Sequence, residues 1–324
     1  MDIQGFKKFA EQRKLKEETI KASIQHLQDF AAFLQKNGKD IDNASHQDFY
    51  DYSAHLISIG QNTFDNYLSI LRYGFFKRIN ELYIAAMEVI DGSEVIENLS
   101  RRLVEEFGED FRNEIFAGIE MPPLGIHPKE KPKYTKQLIT RLEQKFDSER
   151  CIKFLGQGLR DRYEASRKPD REKFLKSKNI DEFLANKHRE FVAELEKHYT
   201  EQRPFFTQEI TKEVIELIKN DPYIESGVRA GDKIIVKKIP HMAKEYLKAT
   251  DESKKRYYYC HCPWVKHAFL ESDKPISPVF CNCSAGFYKA YWEIVLDQPV
   301  QVNVLKSLLK GDLICQFGVN LPED

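Results

Sequence analysis

The sequence predicts an α+β protein: an all-α N-terminal domain of short helices, a helical middle and a C-terminal α+β domain with a mainly antiparallel sheet. Three observations lead there. Apolar residues recur at helical spacing from Phe6 to Met87, a window carrying Pro122, Pro123, Pro128 and Pro132 stops all periodicity, and past Thr207 apolar residues gather in short β-branched runs.

In the first block Ile20, Ile24, Leu27, Phe30, Phe33 and Leu34 form one helical stripe, and Tyr67, Leu68, Leu71, Phe75 and Ile79 form another. Four or five short helices are expected. Breaks fall at Asn37-Gly38-Lys39-Asp40 and Gly60-Gln61-Asn62, where turn chemistry is concentrated, and Ser45 (with Asp48 three residues on) and Asn62 have the side chains of helix N-caps. Residues 88–120 continue as amphipathic helix, so the domains are read as 1–120, a Pro-rich linker at 121–133, and 134–324. Residues 136–146, 170–178 and 180–199 read as charged amphipathic helices, with the charge run at 160–178 a solvated face. A further helix is expected at 211–219 and a β-branched strand at 233–239, stopped by Pro240. The aromatic run 257–260 and the segment 279–281 look like two more strands, 286–296 like a helix, and 300–304 like a strand or extended segment. A helical turn at 304–309 and the Gly311-Asp312 turn then lead into a closing strand at 313–319.

Composition sets limits on function. A chain of 324 residues suggests about two domains. Against 50 Lys and Arg stand 51 Asp and Glu, which excludes a global polycation for nucleic acid or acidic membranes, while 22 Phe and 15 Tyr exclude a disordered polyampholyte. The N-terminus has no apolar signal region and no window approaches the roughly 20 apolar residues that span a bilayer, so a cytoplasmic protein with no membrane partner is expected. A homo-oligomer is compatible with the sequence.

The chemistry-bearing residues cluster late. Cys151 stands alone, whereas Cys260-His261-Cys262-Pro263-Trp264, then His267, Cys281-Asn282-Cys283 and Cys315 follow one another closely. Cys260, Cys262, Cys281 and Cys283 offer four thiolates, enough for a tetrahedral zinc site. Residues i and i+2 of a strand are about 6.6 Å apart, whereas sulfurs on tetrahedral zinc are about 3.8 Å apart, so each pair must leave its strand and turn. Two other uses stay open: reactive or redox-active thiols whose pKa Lys254, Lys255, Arg256 and Lys266 would lower, and buried thiols packed as small hydrophobes, the expectation for Cys151 and Cys315. An enzyme, such as a cysteine- or metal-dependent hydrolase acting on a small substrate, would use Cys283 or a metal-bound water as nucleophile, with His261 or His267 as acid-base partner. Tyr259, Trp264, Phe287 and Trp292 are candidates for lining a small-molecule pocket. Phosphate-binding, dinucleotide-binding, nucleophile-elbow and zincin motifs are absent from the sequence.

The first 90 residues resemble the SAM-like core-binding domain of tyrosine recombinases, on Thr19-Ile20, Leu27, Phe30, Phe33-Leu34, Gly38, Ile41, Asp48, Tyr52, Leu56, Gly60, Thr63, Tyr67-Leu68-Ser69, Leu71-Arg72 and Phe76. The resemblance implies a helical domain that grips DNA from one side. Residues 1–100, however, hold eleven Lys or Arg against fifteen Asp or Glu, and none of the nine histidines is followed three residues later by the arginine of the recombinase catalytic motif. DNA is therefore not an expected partner; a recombinase-derived DNA-binding protein without recombinase activity is the alternative. The end of the chain, from Val304-Leu305-Lys306 through Gly311-Asp312 to Cys315-Gln316-Phe317, resembles the closing motif of 4-vinyl-reductase-like small-molecule-binding domains. That resemblance implies an enclosed ligand pocket, and residues 207–324 are also similar to an uncharacterised bacterial family with Cys-His-Cys-Pro-Trp and Phe-Cys-x-Cys-Ser-Ala-Gly-Phe motifs. A cytoplasmic protein that binds or senses a small molecule is the resulting expectation.

Overall fold

The structure, a computed structural model, describes residues 1–161, 164–271 and 276–322. Five helices open the chain: α1 (Ile3–Gln12), α2 (Glu17–Gln35), α3 (His46–Ser58), α4 (Phe64–Lys77) and α5 (Asn80–Ile90). Their starts follow side-chain chemistry. Ser45 and Asp48 form a reciprocal capping box on α3, and Thr63 caps α4 by accepting from Asn66 N. Asn62, expected as that cap, instead donates its Nδ2 to Leu124 O at 2.8 Å, tying the helical block to the Pro-rich segment. Phe6, Leu27, Phe30, Phe49, Tyr67 and Ile70 close the first core.

Next come α6 (Val95–Phe107) and α7 (Glu109–Phe116), broken at Gly108 with φ +86°, then α8 (Lys131–Lys145) and α9 (Ser148–Leu155). Leu99 and Leu103 of α6 share a core with Leu138 and Leu142 of α8, Phe154 of α9, and Trp264, Phe280 and Leu308 from far along the chain. The buried side chains thus divide near Gly92, and residues 95–116 pack with residues beyond the 121–133 prolines. Helices α10 (Glu164–Lys176), α11 (Ile180–Glu201) and α12 (Lys212–Asn220) follow.

The C-terminal region carries a four-stranded antiparallel sheet in the order β1-β2-β4-β3, from β1 (Val228–Ala230), β2 (Lys233–Lys237), β3 (Val302–Lys306) and β4 (Gln316–Asn320). Between β2 and β3 lie α13 (Ala243–Lys248), α14 (Glu252–Tyr259) and α15 (Asn282–Leu296). Ile234, Val236, Phe317 and Val319 on one sheet face pack against Tyr288 and Trp292 of α15 and Phe183 of α11. The expected α+β architecture is present, with two local corrections. The 257–260 aromatic run is the end of helix α14, because Asp251 caps Lys254 N at 2.8 Å and Arg256 pairs with Glu252 at 3.0 Å, which outweighs the β preference of three tyrosines. Residues 279–281 form a 3₁₀ turn (Pro278–Cys281) leading straight into α15, since Pro278 presets helical φ and Ser277 caps Val279 N.

Gly286 sits where α15 crosses the turn before residue 159. A Cβ there would lie 2.2 Å from Gly158 N and 2.4 Å from its Cα, so backbone would have to move. Gly286→Ala is expected to cost about 1–3 kcal/mol in urea denaturation; a loss below about 0.5 kcal/mol would show that the two backbones do not pack this closely. No helix among the described residues is long and apolar enough to cross a membrane.

Candidate ligand-binding site

A cavity of about 890 Å³ opens between the helical block, α11 and the C-terminal region. Its wall takes Phe75 and Tyr83 from the first core, Lys187 and Phe191 from α11, and Cys260, His261, Cys262, Trp264, Cys281, Cys283, Phe287 and Cys315 from the late cluster. The size lies within the range of pockets that enclose small organic ligands.

The local fold explains how the cysteines converge. Cys260 and Cys262 lie in the loop that leaves α14, and Cys281 and Cys283 straddle the start of α15. Residues two apart on a helix differ by about 200° in direction, so Cys281 and Cys283 cannot act as a side-by-side chelating pair. Among the described residues no group of three or more His, Cys, Asp or Glu side chains is arranged to hold a metal ion. The six cysteines are free thiols. Cys151 packs in the core as expected, whereas Cys315, expected on a strand face, precedes β4 and lines the cavity.

Burial, then its neighbour Cys283, pushes the Cys262 thiol up to about 12, and burial with Cys315 does the same for Cys281 despite a hydrogen bond from Ser307 Oγ at 3.2 Å. Cys260 and Cys283 are also raised by burial. The expected lowering by Lys254, Lys255, Arg256 and Lys266 does not occur: the cations that act on these sulfurs are Lys238 and Arg160, and burial outweighs them. Alkylation of Cys262 and Cys281 by iodoacetamide in the native protein is therefore expected to run roughly a thousandfold slower than in the unfolded chain. Peptide mapping by mass spectrometry checks this, and fast labelling of either thiol would contradict it.

The histidines are engaged elsewhere. His261 reaches the cavity, but its Nε2 donates to Ile239 O and its ring stands 5.0 Å from His241. Burial, then His241 and Lys238, holds His261 well below its usual range. His267 lies outside the wall, 8% exposed, with its ring 5.2 Å from Tyr257. Among the described residues neither histidine is hydrogen-bonded to a thiol, so no cysteine–histidine pair is preassembled. Of the four aromatic candidates Trp264 and Phe287 lie in the cavity wall, and Tyr259 and Trp292 do not. Tyr259 OH donates to Lys238 O at 2.6 Å, and Trp292 packs edge-on to Phe183.

Several groups in the wall were not singled out from the sequence. Arg160 and Asp91 form a two-point ion pair at 2.5 and 3.0 Å. Glu225 accepts from Ile239 N at 2.8 Å, and burial raises its carboxyl above the usual range against the pull of Lys187 and Lys238. Two signals for the lysines were present in the sequence. Lys187 sits on the apolar stripe Leu184, Phe191, Leu195, and Lys238 continues the inward alternation Ile234, Val236. No match to this chain was found among protein-family models, characterised proteins or solved structures.

Proposed function

We propose that this protein binds a small, largely apolar molecule in the cavity between its helical block and its C-terminal region. The observation that carries the reading is the cavity itself, whose wall joins aromatic rings and neutral thiols to charged groups gathered around Lys187, Lys238 and the rim. A cavity of this size would be filled in a protein that needed only a core. The ligand would touch both the first helical block and the sheet region, so occupancy would bias their contact, which suits sensing. Six free thiols fit a reducing, cytoplasmic setting. The resemblance of the closing segment to 4-vinyl-reductase-like domains agrees with a ligand-binding role, and raised thiol pKa values without a partnered histidine favour binding over cysteine-based hydrolysis.

The test is fluorescence titration with the neutral dye N-phenylnaphthylamine. Saturable binding of one dye per chain is expected, weakened in Cys283→Trp, whose larger side chain would project into the cavity. Unsaturable binding, or binding indifferent to that substitution, would sink the reading. A zinc centre on Cys260, Cys262, Cys281 and Cys283 is the second reading; the four sulfurs share one cavity wall, and the turn into α15 would have to rearrange to bring Cys281 and Cys283 onto one ion. Zinc at about one per chain after chelator-free purification, with four thiols released only on unfolding, would decide for it.

A further inference from the structure

We propose that the ligand of this cavity is a monoanionic amphiphile, a carboxylic acid with an apolar body, whose head is held by Lys238, Lys187 and Ser226. The inference rests on the cavity being a ligand site and adds which chemistry it selects. Both lysines occupy positions where the helix and strand patterns call for an apolar residue, and both line the cavity. An inward lysine that serves only the fold should be matched by a carboxylate. Among the described residues neither makes an ion pair: Lys238 Nζ donates only to Ser284 Oγ at 3.3 Å, and Lys187 Nζ to the backbone Glu225 O at 3.2 Å. An ammonium carries three donor hydrogens, so each keeps capacity for an anion.

A second, independent observation points the same way. Ser226 Oγ and Gln208 Nε2 have no hydrogen-bond partner, their residues are 0% and 2% exposed, and both belong to the cavity wall. Leaving such groups unpaired costs roughly 1–3 kcal/mol each, a cost that a ligand's oxygen atoms would remove. Ser226 follows Glu225 directly, whose carbonyl accepts from Lys187 Nζ, so the unpaired hydroxyl belongs to the residue next to that lysine contact.

Charge counting fixes the head group. Asp170 and Glu225 both act on Lys187, the Glu225 carboxyl being already engaged by Ile239 N, which leaves Lys238 as the ammonium to be matched. Of the other charges in the wall, Asp91 is bound by Arg160, Glu190 is bound by Lys173 at 2.7 Å, and Glu194 is exposed at the rim. One ammonium to be matched suits a carboxylate and not a dianionic phosphate, whose second charge would be buried unpaired. Beyond the head, the thiols of Cys262 and Cys281 with Phe280 and Trp264 offer a neutral apolar surface for the body.

Two fluorescent probes of equal size, anthracene carboxylic acid and anthracene methanol, test this on the full chain at neutral pH. The acid is expected to bind at least about tenfold tighter than the alcohol. Lys238→Met should remove that preference while leaving alcohol binding unchanged, which also shows that the variant is folded. Ser226→Ala, a substitution that only removes the unpaired hydroxyl, should weaken the acid several-fold and spare the alcohol. Equal binding of both probes, or a Lys238→Met effect shared by both, would overturn the head-group assignment and leave the cavity reading standing. Failure of both probes to bind would overturn the two together.

Discussion

Glu88→Ala is expected to destabilise the protein by about 3–5 kcal/mol, because it leaves a buried ammonium without its counter-charge. Glu88 closes helix α5, and its Oε1 lies 2.8 Å from Lys266 Nζ while Oε2 accepts from Tyr50 OH at 2.9 Å. Lys266 is 3% exposed, and its other neighbours are Met242 Sδ at 3.4 Å and the Tyr257 ring at 4.8 Å, neither of which replaces a carboxylate. Burial works against the Glu88 charge, yet Lys266 and then His241 hold its carboxyl well below the usual range. Above it Lys131, 1% exposed, donates to the carbonyls of Glu88 and Val89 at 3.0 and 3.4 Å, placing a cation on the C-terminal end of α5. The pair therefore clamps the first helical block to the loop after α14. Urea denaturation at pH 7 measures the loss. The double variant Glu88→Leu/Lys266→Met should recover most of it, since exchanging a buried ion pair for apolar side chains is often neutral. A cost below about 1 kcal/mol for Glu88→Ala would show that the ion pair is solvated.

The sequence announced the periodic parts of this fold and concealed the polar contacts made at a distance. Helix α3 could be placed from Ser45 and Asp48 alone, and β2 from its β-branched run, because both signals are local. Residues 257–260 misled because three tyrosines favour a strand, while the decisive cap, Asp251, sits six residues upstream of Tyr257. The cysteine cluster was visible by its density, but its chemistry was not. A thiol's pKa depends on which cations reach it, and the two that act on Cys283, Lys238 and Arg160, are 45 and 123 residues away from it in the chain. Trp264 illustrates the same limit: its Nε1 donates to Gly92 O at 2.7 Å, across 172 residues, and Thr135 Oγ1 donates to its carbonyl at 2.8 Å. No spacing rule reaches that far, so the division of cores near Gly92 had no sequence signal comparable to four prolines.

Acid should unfold this protein well before its carboxylates are protonated, because buried histidines are held neutral. His241 is 4% exposed; burial and then Lys266 push its pKa down to about 4, against the opposing pull of Glu88 and Asp91. Burial and Lys266 likewise push His267 down to about 4, with His127 and Lys129 acting in the same sense and Glu88 opposing. In the unfolded chain both return to the ordinary value near 6.5. Between pH 6.5 and 4 the unfolded chain therefore holds more protons than the folded one, and stability falls as pH falls through that window. Each histidine contributes a loss of about 2 kcal/mol between pH 7 and 5, so about 4 kcal/mol together, a large part of the 5–15 kcal/mol typical of whole domains. His261, held well below its usual range, adds to the same slope. Glu88 contributes only lower down: its depressed carboxyl gives stability above pH 4.5 that is lost as pH falls further. Urea midpoints measured at pH 7, 6 and 5 should drop at each step, and the double variant His241→Gln/His267→Gln should lose most of that pH dependence. Equal midpoints at pH 7 and 5, or an unchanged slope in the double variant, would mean that these rings are protonated in the folded state and that the Lys266 cluster is open to water.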